Sequence, residues 1–168
     1  IDEPVPPAAP GMTTTDPRAL ARLAQEEEIK RTMPGVFKYY RGSAIYPNEC
    51  VFFLAHDFKT LMIESMGKLP EYREFIFSCD MTSAYAYHRK FLQLLQGNNP
   101  GVWNLKMPSH SLHLDALTAE YPDVRLIYTH RDPLAAVRSF TSLLRFAYVR
   151  SMDTPDIEWH AENCLWQA

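Results

Sequence analysis

V-R-L-I-Y-T-H-R-D-P, from Val124 to Pro133, decides the architecture. Val124 to Thr129 is a strand-length run of β-branched, aliphatic and aromatic residues, followed by a basic turn and a proline suited to the first position of a helix. Helical spacing then continues from Pro133 to Tyr148. The same order stands just upstream. Val102 to Met107 is short and apolar and ends in Lys106-Met107-Pro108, while Ser109 to Tyr121 carries Leu112, Leu117 and Tyr121 as the apolar positions of a helix. Strand, helix, strand, helix in about 45 residues predicts a right-handed βαβ unit with parallel strands. The predicted class is therefore α/β, a parallel sheet flanked by helices.

Outward from this unit the pattern is helical. Residues 1–15 contain Pro4, Pro6, Pro7 and Pro10 and a threonine run, and read as an extended loop. Asp16-Pro17 predicts a helix start, with Leu20, Leu23 and Ile29 inward, Glu26 to Glu28 on a solvated face, and Pro34-Gly35 as the stop. Val51, Leu54, Phe58, Leu61 and Met62 make an apolar stripe for a helix over about 49–66, started by Asn48 and ended by Gly67. A short helix is expected over 70–77. A longer one, capped by Asp80 or Ser83, runs to Gln96 with Tyr87, Phe91, Leu94 and Leu95 inward. A last helix falls near 156–167. The expected organisation is one domain over 1–168: a loop over 1–15, a helical part over 16–96 and the strand–helix–strand–helix part over 102–148.

Hydrophobic residues make up 46% and charged residues 22% of the chain, a composition that supports a packed core and argues against disorder. The formal net charge of −3 excludes a global basic field for nucleic acid, but leaves room for a small anion held by local groups. Cys50, Cys79 and Cys164 are odd in number and widely spaced, so reduced thiols and a cytoplasmic location are the expectation. No apolar run reaches the length of a membrane span.

Ligands of open α/β sheets bind beyond the carboxyl ends of the strands. Two such ends carry Lys106-Met107-Pro108-Ser109-His110 and Thr129-His130-Arg131-Asp132-Pro133. Arg131 stands before a helix N-terminus, where free backbone N–H groups and the dipole favour an anion, and a guanidinium can grip phosphate with two parallel bonds. Asp132, Ala135, Ala136 and Ser139 share one helical face, so the Ser139 hydroxyl can reach the same anion. The plainer alternatives are an Arg131 salt bridge with Asp132 and a Ser139 that only faces a helix. His130 suits a turn-orienting role, and His88 with Tyr85 and Tyr87 suits helix packing. His110 and His113 lack a third metal ligand at fitting spacing, so no metal is expected.

The run W-N-L-K-M-P-S-H-S-L-H-L-D-A-L from Trp103 to Leu117, with Y-P-D-V-R-L-I-Y-T-H-R-D-P-L-A-A-V-R-S-F-T-S-L from Tyr121 to Leu143, resembles the bacterial-type branch of the sulfotransferases that use 3′-phosphoadenosine 5′-phosphosulfate (PAPS). Upstream segments fit as well: Pro4 to Pro7, Asp16 to Arg18, Asn48 to Cys50, and Tyr85 to Gln96. The resemblance implies a P-loop-like fold with a helix-rich insertion and PAPS as sulfuryl donor without a metal. It implies that Arg131 and Ser139, eight positions apart, bind the 3′-phosphate. It also makes His110 the first candidate base and Lys106 an electrostatic partner of the transferring group. The family's Gly/Thr/Ser loop after the first strand has no counterpart here. Gly11-Met12-Thr13-Thr14-Thr15 is only superficially similar, since no strand precedes it. The chain is therefore expected to be a truncated domain, incomplete at its N-terminus and inactive alone.

The acceptor is expected to be a hydroxyl or amine of a small molecule, lipid or glycan, and its identity is not legible. Two rivals stand beside this expectation. A P-loop kinase or NTPase fragment has the same sheet but needs G-x-x-x-x-G-K-[ST], which is absent from the sequence. A helical interaction module explains residues 16–96 but not the two basic strand ends.

Overall fold

A computed structural model describes residues 5–33, 35 and 42–167, and the regular elements among them are helices. Helix α1 spans Pro17–Thr32. Asp16 caps it by accepting from the Arg18 backbone N–H at 2.9 Å, and its carboxylate also holds the Arg18 side chain at 2.8 Å. Glu26 departs from the expected solvated face. It is buried, accepting from the Ala44 N–H at 2.6 Å and the Ser43 hydroxyl at 2.8 Å, so it ties a loop to the helix, while Leu20 faces solvent. A carboxylate that satisfies a loop donor offsets its own desolvation in a way apolar periodicity does not register.

The single helix expected over 49–66 is broken in two. Helix α2 covers Val51–Leu54 and continues as a 3-10 turn over Ala55–Asp57, and helix α3 covers Leu61–Glu64. The break is at Phe58, which adopts the left-handed conformation with φ of 55° and faces solvent instead of the core. The Tyr72 hydroxyl holds this turn. It accepts from the Thr60 N–H at 3.2 Å and donates to the Phe58 carbonyl at 2.8 Å, and Thr60 then caps α3.

Helix α4 (Pro70–Ser78), helix α5 (Thr82–Gln96) and helix α6 (Leu114–Glu120) complete the main core. On α5 the buried positions are Ala84, Tyr85, His88, Phe91 and Leu92, a stripe at helical spacing. Tyr87 and Leu94, expected inward, are exposed. The stripe packs on α2 and α6, and Cys50, Leu54, Ile76, Met81, Ala84, Tyr85, Met107 and Leu117 form the central cluster. The expected 109–121 helix is divided at His113 into a 3-10 segment, Pro108–Leu112, and α6.

Helix α7 (Pro133–Ser151) is followed by helix α8 (Ile157–Gln167), which folds back along it. Tyr148 is fully buried and stacks on the His160 ring at 5.0 Å. Arg73 links this pair to α4, lying over the Trp166 ring at 5.1 Å and donating to Asn163 at 3.3 Å. Glu64, fully buried on α3, accepts from the Gln167 amide, and burial holds its carboxyl above the usual range.

Neither predicted strand forms a β-ladder among the described residues. A strand exists by virtue of a partner that takes up its N–H and C=O groups. Here the backbone of residues 102–107 meets the Cys50 N–H, which donates to the Lys106 carbonyl at 3.2 Å, and the His110 N–H, which donates to the Met107 carbonyl at 3.2 Å, and neither comes from a strand. Residues 124–132 are exposed throughout, with Ile127 at 92%. The expected parallel sheet is thus not formed among the described residues.

Candidate functional site

Asp132 caps α7 by accepting from the Ala135 N–H at 2.8 Å, and the Ala136 N–H closes the first turn on the Asp132 carbonyl at 2.9 Å. Pro133 has no N–H to offer. Most of the donors that a helix end gives an anion are therefore already engaged, and the side chains around it must supply the rest. Arg131, immediately before the cap, is exposed and has no ion-pair partner among the described residues. The sequence-level alternative of an Arg131–Asp132 salt bridge does not occur, because the Asp132 carboxylate turns to the helix. Ser139 is exposed in the second turn, with no hydrogen bond among the described residues. His130 packs its ring against Tyr128 at 4.6 Å, in keeping with a turn-shaping role.

The other strand end is more enclosed. Lys106 is exposed and pairs with Glu49. His110, on the 3-10 segment, is partly buried and has its Nδ1 2.8 Å from the Tyr85 hydroxyl. His88, one turn along α5 from Tyr85, has its Nδ1 2.7 Å from the Tyr121 hydroxyl. The His88 and His110 rings stand edge to face at 6.0 Å. Burial first, and the neighbouring histidine ring second, bring His88 down to a pKa of about 4; burial, then His113, does the same to His110. Both imidazoles are neutral at pH 7. His88 Nε2 is buried with no partner among the described residues. Sequence reasoning assigned Tyr85 and His88 to packing and read Tyr121 as an apolar helix position. The available signal was two tyrosines and two histidines on inward positions of neighbouring segments, where each buried polar tip needs a partner.

No group of three or more His, Cys, Asp or Glu able to hold a metal occurs among the described residues, and no helix there is long and apolar enough to cross a membrane. Cys50, Cys79 and Cys164 are free thiols. The run Gly11 to Thr15 is a tight turn. Gly11 has φ of 75°, and the Thr15 and Asp16 N–H groups both point to the Met12 carbonyl, at 3.1 and 2.8 Å. Those donors face inward, which is not the geometry of a phosphate-cradling loop.

The buried histidines give a pH dependence with a definite sign. Their ordinary pKa is 6.5, and the folded values are near 4, so the unfolded chain binds protons first on acidification. Stability is expected to be full above pH 6.5, to decline between pH 6.5 and 4, and to level off below. Urea midpoints across this range check it; a His88→Leu variant should lose part of the slope, and an identical slope would refute the assignment.

A sequence model of the sulfotransferase family matches residues 3–167. Among solved structures, the crystal structure of sulfotransferase STF9 from Mycobacterium avium matches with a TM-score of 0.84 and 36% sequence identity. The match covers 98% of this chain and 43% of that one, so the chain spans less than half the length of this relative. No curated protein matches.

Proposed function

Since the chain belongs to the sulfotransferase family, we propose that it forms part of an enzyme that moves a sulfuryl group from PAPS to a hydroxyl or amine of a small-molecule, lipid or glycan acceptor. The observation that carries this reading is Arg131: an exposed guanidinium with no counter-ion among the described residues, set where the 124–130 segment hands over to α7. Arg131 grips the 3′-phosphate of the donor through two N–H groups, and Ser139, on the same helical face as the cap, adds a hydroxyl donor. Lys106 and His110 belong to the transfer end. The Lys106 ammonium leaves Glu49 and offsets the charge that builds on the bridging oxygen as the sulfur–oxygen bond lengthens. PAPS supplies the sulfuryl group, the acceptor oxygen or nitrogen gains it and loses a proton, and adenosine 3′,5′-bisphosphate leaves.

Titration of the chain with adenosine 3′,5′-bisphosphate, followed by calorimetry and amide NMR shifts, tests this reading. Binding is expected without magnesium and with shifts at Arg131 and Ser139. A strict magnesium requirement would point to a P-loop kinase or NTPase instead. Ser139→Ala should weaken binding only a few-fold, about 0.5–1.5 kcal/mol for a neutral donor.

The 168-residue chain by itself is expected to turn over no PAPS. The inward-facing Gly11–Thr15 turn supports this, as does the share of the STF9 chain that lies beyond the match. The 5′-phosphosulfate then needs donors from residues other than these. Sulfated product from the isolated chain would disprove it.

A further inference from the structure

We propose that Tyr85 is a positioning residue that fixes His110 as its Nε2–H tautomer, which makes His110 a hydrogen-bond donor to a ligand oxyanion. Tyr85 is fully buried, and among the described residues its hydroxyl has one partner, His110 Nδ1 at 2.8 Å. A phenol proton enclosed this way must be donated, because a buried O–H without an acceptor loses its hydration and gains nothing. Nδ1 is the acceptor within reach, so it carries no proton, and in a neutral imidazole the proton then resides on Nε2. The ring is neutral because burial disfavours its charged form and His113 beside it adds to this, and the groups facing it from α5 are Tyr85 and His88.

His110 Nε2 differs from its counterpart on His88. The His88 nitrogen is buried with no partner among the described residues, whereas His110 Nε2 has no protein partner there and belongs to a residue that is partly exposed. It therefore presents an N–H outward, four residues beyond the exposed Lys106 ammonium. A neutral donor on the same 106–110 segment as a cation suits an anionic oxygen of a sulfuryl or phosphoryl group. The general-base role named for His110 from the sequence needs the opposite tautomer, with Nδ1–H donating to Tyr85 and a free lone pair on Nε2. On this geometry His110 steadies charge, and the acceptor's proton goes to another group. The oxyanion's identity rests on the sulfotransferase reading; the tautomer does not.

Nitrogen-15 histidine spectra of the whole chain at pH 7 test both parts. His110 is expected to show a pyridine-type Nδ1 and a pyrrole-type Nε2; the reverse pattern would overturn the proposal. Tyr85→Phe should move the His110 Nδ1 signal to an unbonded position, and Tyr121→Phe should move His88 and not His110. An unmoved His110 signal in Tyr85→Phe would show that Tyr85 does not hold the ring. If Tyr85→Phe does not fold, the wild-type spectrum still decides the tautomer. Titration with inorganic sulfate should then shift the His110 Nε2–H resonance, and more weakly in Lys106→Ala; no shift up to saturating sulfate would remove the donor role. Magnesium-independent bisphosphate binding at Arg131 stands or falls separately, so failure of the two ideas is distinguishable.

Discussion

Arg131→Ala is expected to weaken binding of adenosine 3′,5′-bisphosphate by roughly 10- to 100-fold, the loss of a charge-assisted phosphate contact of about 1.5–3 kcal/mol. The size follows from what surrounds the residue. The Ala135 and Ala136 N–H groups are engaged by Asp132, so the α7 terminus has little with which to compensate. The Asp132 carboxylate next door would repel a phosphate that lacked the guanidinium. Arg131→Lys should recover part of the affinity, since it restores charge but not the planar fork. Because Arg131 is exposed and unpaired, neither change should alter the fold, and circular dichroism serves as the control. Equal affinity of Arg131→Ala and the parent chain would remove the phosphate site and, with it, the donor assignment.

Leu54→Ala should lower stability by about 2–5 kcal/mol, the range for truncating a buried leucine. Leu54 is 1% exposed in the central cluster, on a helix of one turn. A segment that short has almost no helical stability of its own and is held by the surface it buries. The substitution therefore removes core contacts from a segment that has little else to hold it. Ile127→Ala, by contrast, should change stability by no more than about 0.5 kcal/mol, since that side chain is 92% exposed. Urea unfolding of both variants gives the comparison. Similar midpoints for the two would mean that the cluster around Leu54 is not the core.

How much of this was legible depended on the range of the interaction. The Asp16 cap with Pro17 at the head of α1, and Pro133 at the head of α7, were readable because partners lie within one or two turns, whereas of the four positions expected inward on α5 only Phe91 is buried. The H-R-D-P turn was placed correctly ahead of its helix for the same reason. The break at Phe58 was not readable, because apolar spacing runs straight through it and the group that stabilises it, the Tyr72 hydroxyl, comes from the next helix. Glu26 reads as one of three adjacent glutamates until a loop 17 and 18 residues away turns its donors toward it.

The sequence by itself determined the helices that open at Pro17 and Pro133, the family and the position of Arg131 at a helix entrance, since these depend on contacts between near neighbours and on a motif of contiguous residues. Only the tertiary structure decided whether 102–107 and 124–130 pair, and which ring nitrogen of His110 faces Tyr85. A β-ladder and a buried hydrogen bond each need two groups far apart in the chain to meet, and the closing of that distance by packing is not written in either segment alone.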